Sequence, residues 1–275
     1  MDNRAMSLAA GGTVAVFTKP NHPDAPRLLR ELGAWLGARG LRMATEAEAG
    51  AAAGLAVILG GDGTMLHVAP RLARARTPVL AVHLGTLGFL TETALADLYS
   101  GLDAALAGRA VPQRRALLRA RIERPGAPIF DALNEVVVSK GALARIIQAD
   151  LTIDGVAVGD YRADGILVAT PTGSTAYSLS AGGPVVHPGL EALLVTPICP
   201  HSLSQRPLVV SDHGEIAITL RPASEPAFLT IDGQQGVALK PGDRIVCTRS
   251  PLELTLLTAQ PHSFFHSLRS KLHWG

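Results

Sequence analysis

The sequence predicts two domains of different class, an amino-terminal α/β domain built on a parallel sheet and an all-β carboxyl-terminal domain of the sandwich type. Two observations carry this reading. In the first part of the chain, short apolar runs alternate with stretches whose apolar residues recur every three to four positions. That is the strand, helix, strand order of a parallel sheet with crossover connections. After Gly108 to Pro112 the helical spacing stops, and runs of period two take over, separated by Gly and Asp turns.

Thr13 to Thr18 reads as the first strand, closed by the breakers Lys19, Pro20 and Pro23. Asp24 then stands where a helix cap belongs, with Pro26 in the first turn, and Leu28, Leu29, Leu32, Trp35 and Leu36 share one helical face. Leu55 to Leu59 is a buried strand that ends abruptly at Gly60, Gly61, Asp62, Gly63 and Thr64. A helix is expected from Thr64 to Ala75, kinked by Pro70, then a strand from Pro78 to Leu84 and a helix-like stretch from Thr93 to Leu106. In the second domain, Leu118, Ala120 and Ile122 alternate with charged neighbours. Further strands are expected at Asn134 to Ser139, Ala149 to Val158, Gly165 to Ala169, Leu208 to Val210, Ile216 to Leu220, Ala227 to Ile231 and Arg244 to Thr248. Pro261 to Trp274 is amphipathic, with Phe264, Phe265, Leu268, Leu272 and Trp274 at helical spacing, and is expected to dock on the body of the protein. These divisions give domains of residues 1–108 and 109–250 and a closing segment of residues 251–275.

Composition narrows the function. A length of 275 residues suffices for two modest domains with real cores. The formal net charge of +2 is too small to make nucleic acid or an anionic membrane the main partner. No apolar run approaches the roughly 20 residues that span a bilayer. Met1 to Gly12 lacks the apolar centre of a signal peptide. Cys199 and Cys247 form no metal-binding spacing and are expected as free thiols in a reducing compartment, so a cytoplasmic protein is expected.

Two stretches carry chemistry. Glycines at Gly60, Gly61 and Gly63 expose backbone N–H groups at a strand end and let a ligand approach closely, while the helix that follows favours anions at its start. Asp62 is the anomaly, because a carboxylate at an anion site repels phosphate unless it serves a proton or a metal. Gly85 and Gly88 mark a second strand end of the same kind. The other stretch is Thr170 to Pro184, where hydroxylated residues and glycine follow a strand directly, and Thr175 to Ala181 is expected to open a helix. Hydroxyls and N–H groups there suit phosphates, and the Tyr177 ring suits a base. His262 and His266 stand four apart without a third ligand in view, so no metal site is assigned to them.

Taken together, Gly60 to Thr64, the pair Asn134 and Glu135, and the run Thr170 to Pro184 make the chain resemble the NAD kinase family over nearly its whole length. The glycine motif alone is shared with lipid and sugar kinases, whereas Thr170 to Pro184 is specific to NAD kinases. The resemblance implies a Rossmann-like first domain, a β-sandwich second domain, NAD bound between them and a closing segment, residues 251–275, that returns to the first domain. It implies transfer of phosphate from ATP to the adenosine ribose 2′-hydroxyl of NAD, a divalent metal such as magnesium arriving with ATP, and a homodimer or homotetramer. By the same resemblance Asp62 is the catalytic carboxylate, and Gly63 and Thr64 lie near the phosphates. Asn134 and Glu135 contact ribose and adenine, and Arg145, Arg162 and Asp164 serve the nicotinamide half or a subunit boundary. Thr175, Ala176, Tyr177, Ser178, Leu179 and Ser180 form the NAD wall, joined by Asp232 and Gln234. Two other readings are a lipid or sugar kinase, which leaves Thr170 to Pro184 unexplained, and a non-catalytic NAD sensor, which leaves Asp62 without a task.

Overall fold

The structure, a computed structural model, describes residues 11–46, 53–141, 146–222, 226–258 and 263–273. The chain divides into two compact units, Met1–Arg114 with Glu253–Gly275, and Arg115–Leu252.

The first unit begins with β1 (Thr13–Thr18), α1 (Ala25–Gly37), β2 (Arg42–Thr45), β3 (Leu55–Gly60), α2 (Asp62–Ala75), β4 (Val79–His83), the two-residue β5 (Thr93–Ala94) and α3 (Leu98–Leu106). Strands β2, β1, β3 and β4 lie side by side in that order, all parallel, with Val57 opposite Val16 on one flank and Leu80 on the other. Every residue of β3 is buried, as an apolar run covered on both faces requires. Leu28, Leu32 and Leu36 of α1 and Leu98 and Leu102 of α3 pack with Val14, Val16, Val57 and Leu80 into one core. Burying a leucine such as Leu32 completely contributes about 2 kcal/mol. On the outer face of α1, Arg27 pairs with Glu31 one turn on and with Asp24, although the Asp24 side chain makes no cap to the helix.

The chain enters the second unit along β6 (Val111–Ile122) and continues through β7 (Ile129–Ala132), β8 (Glu135–Lys140), β9 (Ile147–Ile153), β10 (Val156–Ala163) and β11 (Gly165–Ala169). A single 3-10 turn, Thr172–Thr175, and the one-turn α4 (Tyr177–Ser180) follow. Strands β12 (Ala192–Ile198), β13 (Leu208–Ser211), β14 (Ile216–Leu220), β15 (Ala227–Ile231) and β16 (Gln235–Leu239) lead to β17 (Arg244–Thr258), and α5 (Ser263–Leu272) closes the described chain. One sheet has the antiparallel order β13, β12, β11, β8, β15, β16. The facing layer runs β10, β9, β14, β17. Val136, Val138, Ile166, Val168 and Leu229 of the first layer meet Ala149, Leu151, Ile216, Ile218 and Ile245 of the second, which makes the sandwich core. Val137, Leu167 and Ala169 point the other way, into a smaller cluster with Val186 and Leu194. Both faces of β8 and β11 are therefore covered, which explains their unbroken apolar runs.

Several elements differ from the sequence expectation. Helix α2 starts at Asp62 rather than Thr64, so the glycine motif forms a helix start and not a free loop. Pro70 sits inside it. The helix expected from Thr93 begins only at Leu98, after a short strand and a 3-10 turn. The run Ala149 to Val158 is broken at Asp154 and Gly155, both at positive φ, into the hairpin strands β9 and β10. The strand expected at Arg244 to Thr248 continues to Thr258 despite Pro251, and its Leu256 and Leu257 join the first unit's sheet parallel to Val79 and Leu80. Thr175 to Ala181 contributes only one helical turn, α4. Strands β2, β7, β12 and β16 stand where the sequence reading expects none. In α5, Phe264 and Leu268 are buried, but Phe265, expected on the same face, is 51% exposed. Trp274 lies outside the described residues.

Candidate active site

In the first unit the chemistry gathers where β3 ends. Gly60 lacks a side chain because Thr64 folds back over it; a Cβ there would stand 2.4 Å from Thr64 Oγ1. Gly61 and Gly63 differ, since a Cβ on either would meet nothing within 4 Å among the described residues. The start of α2 therefore has an open side on which a ligand can approach main chain, with the helix dipole favouring negative charge.

Asp62, the first residue of α2, is gripped by the loop that follows β4. Its Oδ2 accepts the Phe89 N–H at 2.9 Å, and its Oδ1 accepts the Leu90 and Thr91 N–H groups, each at 3.1 Å, and the Thr91 hydroxyl at 3.0 Å. A carboxylate has room for about four donors, two to each oxygen. Oδ1 is more than filled, and Oδ2 keeps an accepting position. Gly88 makes this grip possible, because a Cβ there would lie 2.0 Å from Asp62 Oδ1 and 2.2 Å from Thr91 Oγ1. The Lys271 ammonium of α5 stands 5.0 Å from the centre of the Phe89 ring, a cation over an aromatic face. Phe89, Leu90 and Thr91, which hold the Asp62 carboxylate, are not among the candidate residues read from the sequence. Their contribution is mostly main chain, and the signal for it was the glycine pair Gly85 and Gly88 at a strand end.

In the second unit Asn134 lies just before β8 and Glu135 opens it, and both are buried. The main chain on either side of them is fixed. Thr170 donates its hydroxyl to the Leu133 carbonyl at 2.6 Å and its N–H to the Asn134 carbonyl at 2.8 Å. Gly173 packs so closely on this segment that a Cβ would stand 2.2 Å from the Asn134 oxygen. Asp232, in the turn between β15 and β16, accepts the N–H groups of Leu133, Asn134 and Glu135. Burial pushes the Glu135 carboxyl up to about 8, with the neighbouring Asp232 charge adding to it. Burial also raises the Asp232 carboxyl, against the opposing pull of its three backbone donors.

The wall after β11 has two kinds of member. Ser174 and Ser178 are fully buried and serve the fold: Ser174 Oγ bonds the Pro171 and Val186 carbonyls, and Ser178 Oγ bonds Thr196 Oγ1 at 3.0 Å. Ser178, expected to touch substrate, thus has its hydroxyl engaged internally. Thr175, Ala176 and Leu179 are half-buried, while Ser180 and Tyr177 are exposed, Tyr177 at 43%. Gln234 is exposed beside Asp232.

Arg162 and Asp164 stand apart from this group. Arg162 is exposed on β10, and Asp164 pairs with Lys140 at 3.0 Å. Both precede Gly165, whereas Thr170 follows Ala169, so the length of β11, roughly 16 Å, separates them from the Asn134 and Glu135 end. Arg145 and His262 lie outside the described residues. Among the described residues no three His, Cys, Asp or Glu side chains converge as a metal site, and no helix is long and apolar enough to cross a membrane. Cys199 and Cys247 are both free thiols, and burial pushes Cys247 up to about 12.

Comparison with known proteins identifies the family. Residues 40–110 match the ATP-NAD kinase N-terminal domain and residues 133–259 the ATP-NAD kinase C-terminal domain. The chain is 44% identical to the NAD kinase of Koribacter versatilis, over 96% of its own length and 98% of that protein. It is 42% identical to the NAD kinase of Geotalea daltonii, over 95% and 98%. Among solved structures, yeast NADH kinase complexed with NADH superimposes with a TM-score of 0.87 at 26% identity, covering 97% of this chain and 88% of that one. An NAD kinase from Archaeoglobus fulgidus in complex with ATP gives a TM-score of 0.79 at 28% identity, covering 95% and 98%. With both domain models matched in order and relatives matched end to end, the chain belongs to the NAD kinase family.

Proposed function

We propose the following division of labour for this family's reaction, the ATP-dependent phosphorylation of the adenosine ribose 2′-hydroxyl of NAD to give NADP and ADP. Asp62 receives the acceptor hydroxyl. Its Oδ1 is saturated by the 89–91 loop, so the accepting position left on Oδ2 takes the hydrogen bond that orients the nucleophile. Phosphoryl transfer proceeds through a loose transition state, so holding the hydroxyl in line matters more than removing its proton early. The proton passes toward Asp62 as the new P–O bond forms. Gly61 and Gly63 leave the space, and the start of α2 supplies the positive potential, for the phosphates next to the carboxylate.

Asn134 and Glu135 hold the adenosine, with Tyr177, Thr175 and Ala176 as the wall beside it. Arg162 and Asp164, a strand length away, serve the far half of an extended dinucleotide or a second subunit of a homodimer or homotetramer. The divalent metal is part of the ATP substrate and screens the phosphate charge. The donors around Asp62 suit this, since four N–H and O–H groups make that carboxylate an acceptor of hydrogen bonds and not one arm of a metal cage. A cytoplasmic, soluble enzyme is the setting this chemistry fits.

The observation that carries the proposal is the anchored Asp62 carboxylate beside two glycines whose missing side chains leave open space. The test is direct. Purified protein given ATP, Mg²⁺ and NAD should form NADP and ADP in equal amounts. A preparation that forms no NADP with any nucleotide donor or divalent metal refutes the assignment.

A further inference from the structure

Asp232 is the first of two consecutive residues at positive φ, 47° at Asp232 and 65° at Gly233, in a turn closed by the Gln234 N–H on the Ile231 carbonyl. This is the pattern of a type I′ turn, which an aspartate followed by glycine tolerates well. Its side chain is buried and committed. Oδ2 accepts Leu133 N–H at 2.8 Å, and Oδ1 accepts Asn134 N–H at 2.8 Å and Glu135 N–H at 3.0 Å. The Asp232 N–H returns a bond to the Glu135 carbonyl at 3.0 Å, so the two residues clasp each other in both directions.

Three successive amides converge on one carboxylate only where the main chain curls into a concave nest, and such a nest calls for an anion. The carbonyls of the same segment are held from the opposite side by Thr170. What remains to meet a nucleotide is the side chains of Asn134 and Glu135, and Glu135 Oε2 is buried with no hydrogen-bond partner among the described residues.

We propose that Asp232 is a positioning residue of the NAD site, making no contact with the nucleotide and acting through the three amides that fix Asn134 and Glu135. The proposal rests on the NAD kinase reading above. Among the described residues Asp232 is also the charged group that acts on Glu135, and together with burial it keeps Glu135 in its acid form at neutral pH. Glu135 then offers an O–H donor to a nucleotide acceptor, and Asp232 supplies its placement and adds its charge to the burial that keeps it protonated.

Asp232→Asn keeps a residue that accepts positive φ but places an NH₂ against the amides and removes the charge. The variant is expected to raise KM for NAD by about tenfold or more, with KM for ATP within about twofold. In the native enzyme KM for NAD should rise as pH passes through about 8. In Asp232→Asn that limb should move to lower pH, since Glu135 ionises more readily without a neighbouring negative charge. Glu135→Gln should abolish the limb in either background. A role confined to folding would lower thermal stability without moving the limb.

A KM for NAD within twofold of native and an unmoved limb in folded Asp232→Asn would overturn the proposal. If that variant does not fold, Glu135→Gln decides: an alkaline limb that survives it is equally fatal. Amide hydrogen exchange at Leu133, Asn134 and Glu135 in the free native protein separates the two readings. Strong protection there without any NADP formation would leave the clasp standing and remove the kinase assignment, whereas fast exchange in an active enzyme would remove the clasp alone.

Discussion

Thr91 holds the Asp62 carboxylate twice, by its N–H at 3.1 Å and its hydroxyl at 3.0 Å, and both bonds end on Oδ1. The second depends on side-chain identity and the first does not. Thr91→Val removes the hydroxyl while keeping shape and the three amides. Because Thr91 is fully buried, the loss should cost about 1 kcal/mol of stability. With Asp62 less firmly aimed, kcat should fall about three- to tenfold with little change in either KM. Steady-state NADP formation and a melting curve check both numbers.

Asp62→Asn is a different perturbation. An amide presents an NH₂ where the loop presents N–H groups, so one of the loop's donors loses its acceptor. The variant should still bind NAD, measured by calorimetry, while turnover drops by a factor of about 100 or more. Unaltered turnover would show that Asp62 only holds the loop.

The glycines separate into two classes that alanine distinguishes. Gly173→Ala drives a methyl into the Asn134 oxygen, carbon and Cα at 2.2, 2.6 and 2.8 Å, all of them main chain. Relief requires moving the segment that carries Asn134 and Glu135, so stability should fall by about 2 kcal/mol or more and NAD binding with it. Gly61→Ala meets no atom of the described residues within 4 Å. Its stability should stay within about 1 kcal/mol of native, and its defect should appear as a raised KM for substrate, because the methyl occupies the open side of the α2 start.

Glu135 makes folding depend on pH in an unusual direction for a carboxylate. Its folded value of about 8 lies above the ordinary 4.5, so between those values the folded protein holds a proton that the unfolded chain has released. Stability from this group is complete below about 4.5 and is lost as pH rises to about 8. Glu135→Gln stays neutral throughout. At pH 9 it should melt above the native protein, by an amount on the order of 2 kcal/mol, and the difference should vanish toward pH 5. An equal gap at both pH values would contradict the assigned titration.

What could be read from the sequence followed side-chain pattern. The buried strand Leu55 to Leu59 and the apolar stripe of α1 each leave a mark in composition, and each is where the pattern puts it. The start of α2 was hidden because glycine at its second position argues against a helix, although Asp62 favours one by its charge at the amino end. The grip on Asp62 was invisible for another reason. It joins residues 27 to 29 positions apart largely through N–H groups, which every residue but proline carries. Asp232 is the same case at longer range: its carboxylate reaches amides 97 to 99 positions away. Pro251 hid the second half of β17, since proline usually ends a strand, and here it is exposed at the point where the chain leaves one unit for the other.

That second half of β17 sets an order of events during synthesis. Leu256 and Leu257 are the residues that pair with Val79 and Leu80, and all of Arg115–Leu252 is translated between them. The sandwich can therefore complete its own strands while the flank of β4 still waits for its last neighbour, so the unit that begins first on the ribosome is the one that finishes last. A pause or truncation just after Leu252 would leave that flank open, with its backbone donors and acceptors bare, and make it the natural point for a chaperone to watch.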